Sequence, residues 1–126
     1  MDQYKRIREY VIGKYQPVKV VPGKCRWNRK CHLNSVHDAV VAGETSIAMC
    51  VYLDTENEPI IHFLNKKGKV YTDNTLGYWS HENTYYLIRE IPCIEFDGIG
   101  DVFKAFRSSL IRLVPWYVRL FTKVTI

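Results

Sequence analysis

Cys31, His62 and Asp73 have the residue types and the chain order that nucleophilic catalysis requires. Cys31 follows Arg29 and Lys30 and falls where a helix is expected to begin. A thiol there feels the positive end of the helix dipole and nearby cations, and both raise its thiolate fraction. His62 and Asp73 lie on two short strand candidates, Ile60 to Asn65 and Lys69 to Thr75, around Lys66-Lys67-Gly68, which predicts a hairpin. With Lys67-Gly68 as the two-residue turn, His62 stands directly opposite Asp73 on one face. With Lys66-Lys67 as the turn, His62 pairs with Tyr71 instead; glycine in the turn favours the first register. A carboxylate beside an imidazole fixes its tautomer and stabilises the imidazolium, the orienting role beside a Cys-His dyad. The other readings are a packed thiol, a strand histidine bonded to a carbonyl, and an aspartate that ends a strand.

The elements that must position these residues follow from periodicity. Tyr4, Ile7, Val11 and Tyr15 recur at helical spacing and predict an N-terminal helix over residues 2–15. Residues 16–30 carry Pro17, Pro22 and Gly23 and read as an extended connector. Residues 31–42 predict a helix with Leu33, Val36 and Val40 inward, stopped by Gly43. Strands are expected at Thr45 to Leu53 and at Thr84 to Ile91. Next comes a helix with Phe103, Phe106, Leu110 and Leu113 in one stripe, ended by Pro115. Trp116 to Ile126 reads as a last strand, with Trp116, Val118, Leu120, Val124 and Ile126 on one face. The order indicates an α+β fold: one small domain over residues 1–126, with helices on a mostly antiparallel sheet and its core in 31–126.

Length and composition agree. At 126 residues, with 47% hydrophobic and 25% charged, the chain suits one globular core and is unlike disordered, collagenous or coiled-coil sequences. Four cysteines are too few for a disulfide scaffold; Cys50 and Cys93 are expected in the core and Cys25 on the connector. The charged N-terminal stretch does not read as a signal peptide, so a cytoplasmic, reducing setting is the expectation. No window is apolar enough to span a membrane, and Val102 to Phe121 reads as a core segment, so no membrane partner is expected. The net charge of +5 favours an anionic partner.

The pieces KCHLNSVHDAV, IIHFLNKKGKVYTDNTLG and YYLIREI resemble the core of the papain-like and transglutaminase-like cysteine enzymes. There a cysteine at a helix start precedes a histidine strand and a neighbouring strand that ends in an Asp-x-Thr turn. Asp73-Asn74-Thr75 matches that turn, with His62 eleven positions earlier, and the likeness spans roughly residues 29–91. It implies an acyl-transfer enzyme of peptidase, amidase, deamidase or transglutaminase type acting on a peptide or protein amide. Cys31 is the implied nucleophile, His62 the base and then acid, and Asp73 the orienter; no cofactor is called for. It also suggests a small processing enzyme or a phage- or plasmid-type accessory protein. One departure concerns the oxyanion: Cys25 stands where papain-like enzymes often place a glutamine, so the Cys31 backbone N–H, with Trp27 or Asn28, would take that role.

Other residues complete the expectations. Asn34 and Ser35 are expected to support the helix start, Trp79 and His81 to line a cleft or form an exposed loop, and Trp27, Asn28, Asn34 and Trp79 are the expected substrate-binding residues. Cys25, Cys31, His32 and His37 lack zinc-ligand spacing, so no metal is expected. Basic residues crowd the first thirty positions, and Arg26-Trp27-Asn28-Arg29-Lys30 interleaves cations with an aromatic. The reading from a different class is therefore a non-enzymatic binding or inhibitor protein that contacts nucleic acid or an acidic protein through this basic region.

Overall fold

The computed structural model describes residues 2–26 and 30–126. The elements are α1 (Lys5–Lys14), β1 (Pro17–Val18), β2 (Val20–Pro22), α2 (Cys31–Ala42), β3 (Ser46–Leu53), β4 (Pro59–Lys67), β5 (Val70–Asp73), β6 (Thr84–Pro92), α3 (Ile99–Ile111) and α4 (Trp116–Phe121). Short 3-10 turns occupy Gly77–Glu82 and Cys93–Gly98. The six strands form one sheet in the order β1-β6-β3-β4-β5-β2, antiparallel throughout except where β2 runs parallel to β5. The expected α+β class with a mostly antiparallel sheet is what the chain adopts.

β1 and β2 lie at opposite edges of that sheet, yet only Lys19 separates them in the chain. One residue spans at most about 3.6 Å, so the sheet must curl until its edges nearly meet. The curl creates two apolar cores. On the outer face, Ile47, Met49, Val51, Ile61, Phe63 and Ile91 pack with Ile7 and Val11 of α1 and Leu110 of α3. Inside the curl, Ala48, Cys50, Tyr52, Leu64 and Tyr85 form the second. Alternation along β3 supplies both, as the two-residue period of a strand dictates. Each fully buried aliphatic side chain in these cores contributes about 1.5–3 kcal/mol.

β6 breaks its own alternation. Met49 pairs with Arg89 but Cys50 pairs with Leu87, so Ile88 is an extra residue opposite β3. A bulge of this kind reverses the facing of everything beyond it. Ile91 therefore packs outside while Tyr85 and Leu87, of the same parity by count, point inside the curl.

Four expectations are corrected. The β4–β5 register pairs Asn65 with Thr72, Lys66 with Tyr71 and Lys67 with Val70, so the turn is Gly68-Lys69 and neither register anticipated from the sequence. Gly68 has φ +62°, a conformation that hairpin turns demand at their first position and that glycine adopts without strain. Trp116 to Phe121 is helical rather than a strand; Val114 and Val118 are buried at helical spacing, whereas the strand face would have buried Trp116 and Leu120, which are exposed. α2 buries Cys31, Asn34, Ser35, Asp38 and Ala39 and leaves Leu33 and Val40 exposed, with Val36 half-buried. Its polar face turns inward because Thr75 meets Asn34 and Arg26 meets Asp38. Cys93, expected in the core, is exposed at the start of a 3-10 turn, while Cys50 is buried.

Candidate active site

The site is assembled by three neighbouring segments. α2 begins at Cys31, the inner face of β4 carries His62, and Asp73 closes β5. The observed register, continued along the strands, would set Thr75 rather than Asp73 opposite His62. Asp73 is two residues away from that position, and an even offset keeps it on the same face. His62 Nε2 lies 2.9 Å from Asp73 Oδ2. Cys31 and His62 line the same pocket, and His62 is among the groups that lower the Cys31 thiol. The structure thus brings together the three residues that the sequence selected, by a diagonal contact rather than a direct cross-strand pair.

Asp73 is fully buried, and its carboxylate is saturated. Oδ1 accepts the backbone N–H groups of Thr75 at 2.9 Å and Leu76 at 2.8 Å, the pattern of an Asx turn. Oδ2 accepts the His62 ring and, at 2.6 Å, the hydroxyl of Tyr85. Burying a carboxylate is costly unless it is paired and hydrogen-bonded, and here both conditions hold. Tyr52 lies edge-on to the His62 ring, with centroids 5.1 Å apart. The imidazole is clamped between an aromatic edge and a fixed anion.

The connector is itself a structural strand. β2 pairs with β5 through Pro22, opposite Asp73, and the Gly23 N–H donates to the Asp73 carbonyl at 2.9 Å. The Arg26 N–H continues the contact to the Thr75 carbonyl at 2.7 Å. A Cβ on Gly23 would sit 2.0 Å from Asn74 Oδ1, so only glycine permits this approach. Arg26 grips Asp38 of α2 through two bonds of 2.7 and 2.8 Å and also reaches the Asn74 carbonyl. The Asn34 amide donates to Thr75 Oγ1 at 3.1 Å. These contacts fasten the first two turns of α2, and with them Cys31, to the Asp73 turn.

Electrostatics follow from this packing. Burial pushes the Cys31 thiol up. Hydrogen bonds with His32 and His62, the charge on His62 and a backbone bond from Phe63 outweigh it and bring the thiol down to about 6. Burial likewise opposes charge on His62, but the bonds to Asp73 and Cys31 and their negative charge raise it to about 9. Asp73 is pushed up by burial and pulled further down by His62, Tyr85 and the Leu76 N–H, so it stays below the usual carboxylate range. Both shifts favour the thiolate–imidazolium form of the pair. Cys31 also stands at the start of α2, the favourable end of the helix dipole for an anion.

Cys31 is 8% exposed and opens on a pocket of about 200 Å³, whose lining also includes His62, Tyr52, Ile60, Ile61, Thr75 and Leu76. Among the described residues, its lining carries no charged group besides Cys31 and His62. Other expected site residues fall elsewhere. Trp27 and Asn28 lie outside the described residues. Asn34 is buried and braces the Asp73 turn rather than facing a ligand. Trp79 is exposed on the 3-10 turn against Tyr78 and does not line the pocket. Among the described residues, no group of three or more His, Cys, Asp or Glu side chains could hold a metal.

Sequence reasoning missed Tyr85 and Tyr52 as partners of the site, and it weighed His32 only as a metal ligand. Its ring stacks on Phe103, with centroids 5.8 Å apart and planes within 9°, and it is among the groups that lower the Cys31 thiol. Adjacency to Cys31 was the available signal. No protein-family model matches the chain, and neither does any curated protein or solved structure.

Proposed function

We propose that the protein is a cysteine-dependent acyl-transfer enzyme, acting on an amide bond, with a small papain-like or transglutaminase-like core. The observation that carries the reading is the succession Cys31–His62–Asp73, with a thiol brought down to about 6 beside an imidazole raised to about 9. The Cys31 thiolate attacks the carbonyl carbon, a C–S bond forms, and the carbonyl π electrons move to oxygen. The N–H of Cys31 supports that oxyanion. As the intermediate collapses, the C–N bond breaks and His62 gives its proton to the leaving amine. Water or an acceptor amine then attacks the thioester, His62 takes a proton from it, and the thiolate leaves. Asp73 stays ionised throughout and holds the ring in place. Among the described residues, the lining beyond Cys31 and His62 is uncharged and suits a neutral side chain such as a carboxamide.

The basic N-terminal region supports a nucleic-acid interface less well. Arg26 is committed to Asp38, and Arg8 binds Asp2 and the Asn57 carbonyl, so two of its guanidinium groups are structural.

Alkylation with iodoacetamide across pH, read by mass spectrometry at each cysteine, tests the proposal. Cys31 is expected to react with a midpoint near 6, whereas exposed Cys25 and Cys93 serve as internal references. If Cys31 shows no midpoint near 6, or reacts only on unfolding, the nucleophile assignment fails.

A further inference from the structure

The C-terminal quarter of the chain carries a second feature, independent of the thiol. α4 is anchored by Val118, which is buried with Val114 one turn earlier. The rest of its surface points outward: Trp116 is 67% exposed, Tyr117 48%, Leu120 68% and Phe121 88%. Positions 116 and 120, and 117 and 121, are one turn apart, so the four side chains make two adjacent ridges. A contiguous patch of this kind marks an interaction surface, in contrast to the singly scattered apolar residues that any protein shows.

The charge around it has one sign. From Val102 to Ile126 the chain has Lys104, Arg107, Arg112, Arg119 and Lys123 and no acidic side chain. Before Val102 the cations and carboxylates balance, so the net charge of +5 belongs to this segment. Among the described residues none of these five cations forms an ion pair. Lys5 and Arg6 of α1 extend the field. They line a cleft of about 180 Å³ with Tyr117 and Val118, where the one carboxylate, that of Asp2, is held by Arg8.

We propose that α4 docks on an anionic lipid bilayer. Trp116, Tyr117, Leu120 and Phe121 would enter the interfacial layer, with Arg112, Arg119, Lys123, Lys5 and Arg6 at the phosphates. Indole and phenol rings favour that layer because one edge is apolar and the other polar. No helix among the described residues is long and apolar enough to cross the bilayer, so the contact is peripheral. A second copy of the chain is a poorer occupant, because a two-fold contact would bring the same unpaired cations face to face.

Co-sedimentation of the full chain with vesicles tests this. The protein is expected to pellet with vesicles of phosphatidylglycerol and phosphatidylcholine in equal parts, to stay in solution with phosphatidylcholine alone, and to be released by salt. Arg112→Gln, Arg119→Gln and Lys123→Gln should each weaken binding about fivefold. Trp116→Ser combined with Phe121→Ser should weaken it more than about tenfold, with an unchanged far-ultraviolet spectrum because both side chains are exposed. The proposal is overturned if the mixed vesicles leave the protein in solution or if the double variant binds as well as the parent. Lipid-free dimerisation that Phe121→Ser abolishes would assign the face to a second copy. Polyglutamate binding as tight as vesicle binding would assign it to an acidic protein.

Discussion

Cys31 and Cys50 are both buried, and Cys50 is the direct cross-strand neighbour of His62, yet their acidities move in opposite directions. Cys50 lies in the middle of β3 among Ala48, Leu64 and the tyrosines of the inner core. Burial and the negative charges of Asp73 and Cys31 raise its pKa well above the ordinary thiol value. Cys31 pays a similar desolvation penalty but meets two imidazoles, a backbone donor and the start of a helix. Burial alone makes a thiol inert. Burial together with preorganised donors makes a nucleophile, because the same low polarity that penalises a lone charge strengthens a paired one.

Removing the donor should break the contrast most completely. In His62→Ala, Cys31 keeps its burial and loses the imidazolium, so its alkylation midpoint is expected to climb from about 6 to at least the ordinary ~8.5. A midpoint that stays near 6 would transfer the activation to His32 or to the helix.

Asp73→Asn should act on the other limb. The folded value of His62 lies above its ordinary 6.5, so its charge contributes stability that is complete below about 6.5 and is lost as pH rises through about 9. Without the anion that value falls, and the loss begins at lower pH. The alkaline limb of a bell-shaped rate profile is expected to move down by about one to two units, toward 7 to 8. The acid limb, which reports Cys31, should move less. Two-dimensional NMR of the His62 ring gives the same value independently of any substrate.

What the sequence disclosed and what it withheld divide along a physical line. Cys31, His62 and Asp73 could be chosen because their types, their order and a helix start are local properties. α2 was placed at its observed bounds for the same reason. The facing of Tyr85 was not legible: alternation from Ile91 puts it outside, and only the extra residue at Ile88 turns it toward Asp73. The inward face of α2 was misread because Asp38 and Asn34 are satisfied by Arg26 and Thr75, partners 12 and 41 residues away. The hairpin register turned on which residue takes the positive φ, a choice that the dipeptide Lys67-Gly68 or Gly68-Lys69 leaves open until the sheet is built.

Tyr85→Phe isolates one bond of the saturated carboxylate. The variant keeps the ring packed against Tyr52, at a centroid distance of 5.5 Å, and removes only the 2.6 Å bond to Asp73. Urea unfolding should show a loss of about 1.5–3 kcal/mol, the range for hydrogen bonds to charged groups. The Cys31 midpoint is expected to stay within about half a unit, because Tyr85 acts on the thiol only through Asp73 and His62.

Cys50→Ala is the smallest perturbation and completes the comparison from the inert side. The sulfur it removes is fully buried and bears no hydrogen-bond role in the chain Cys31–His62–Asp73. The expected cost is a small cavity, of order 1 kcal/mol or less. Removing it also removes a group that is neutral near pH 7, since its pKa is raised far above that range. The Cys31 midpoint should therefore remain near 6. A shift of a full unit would mean that the Cys50 thiol positions the His62 ring beside it, and the division into one activated and one inert thiol would give way to a shared site.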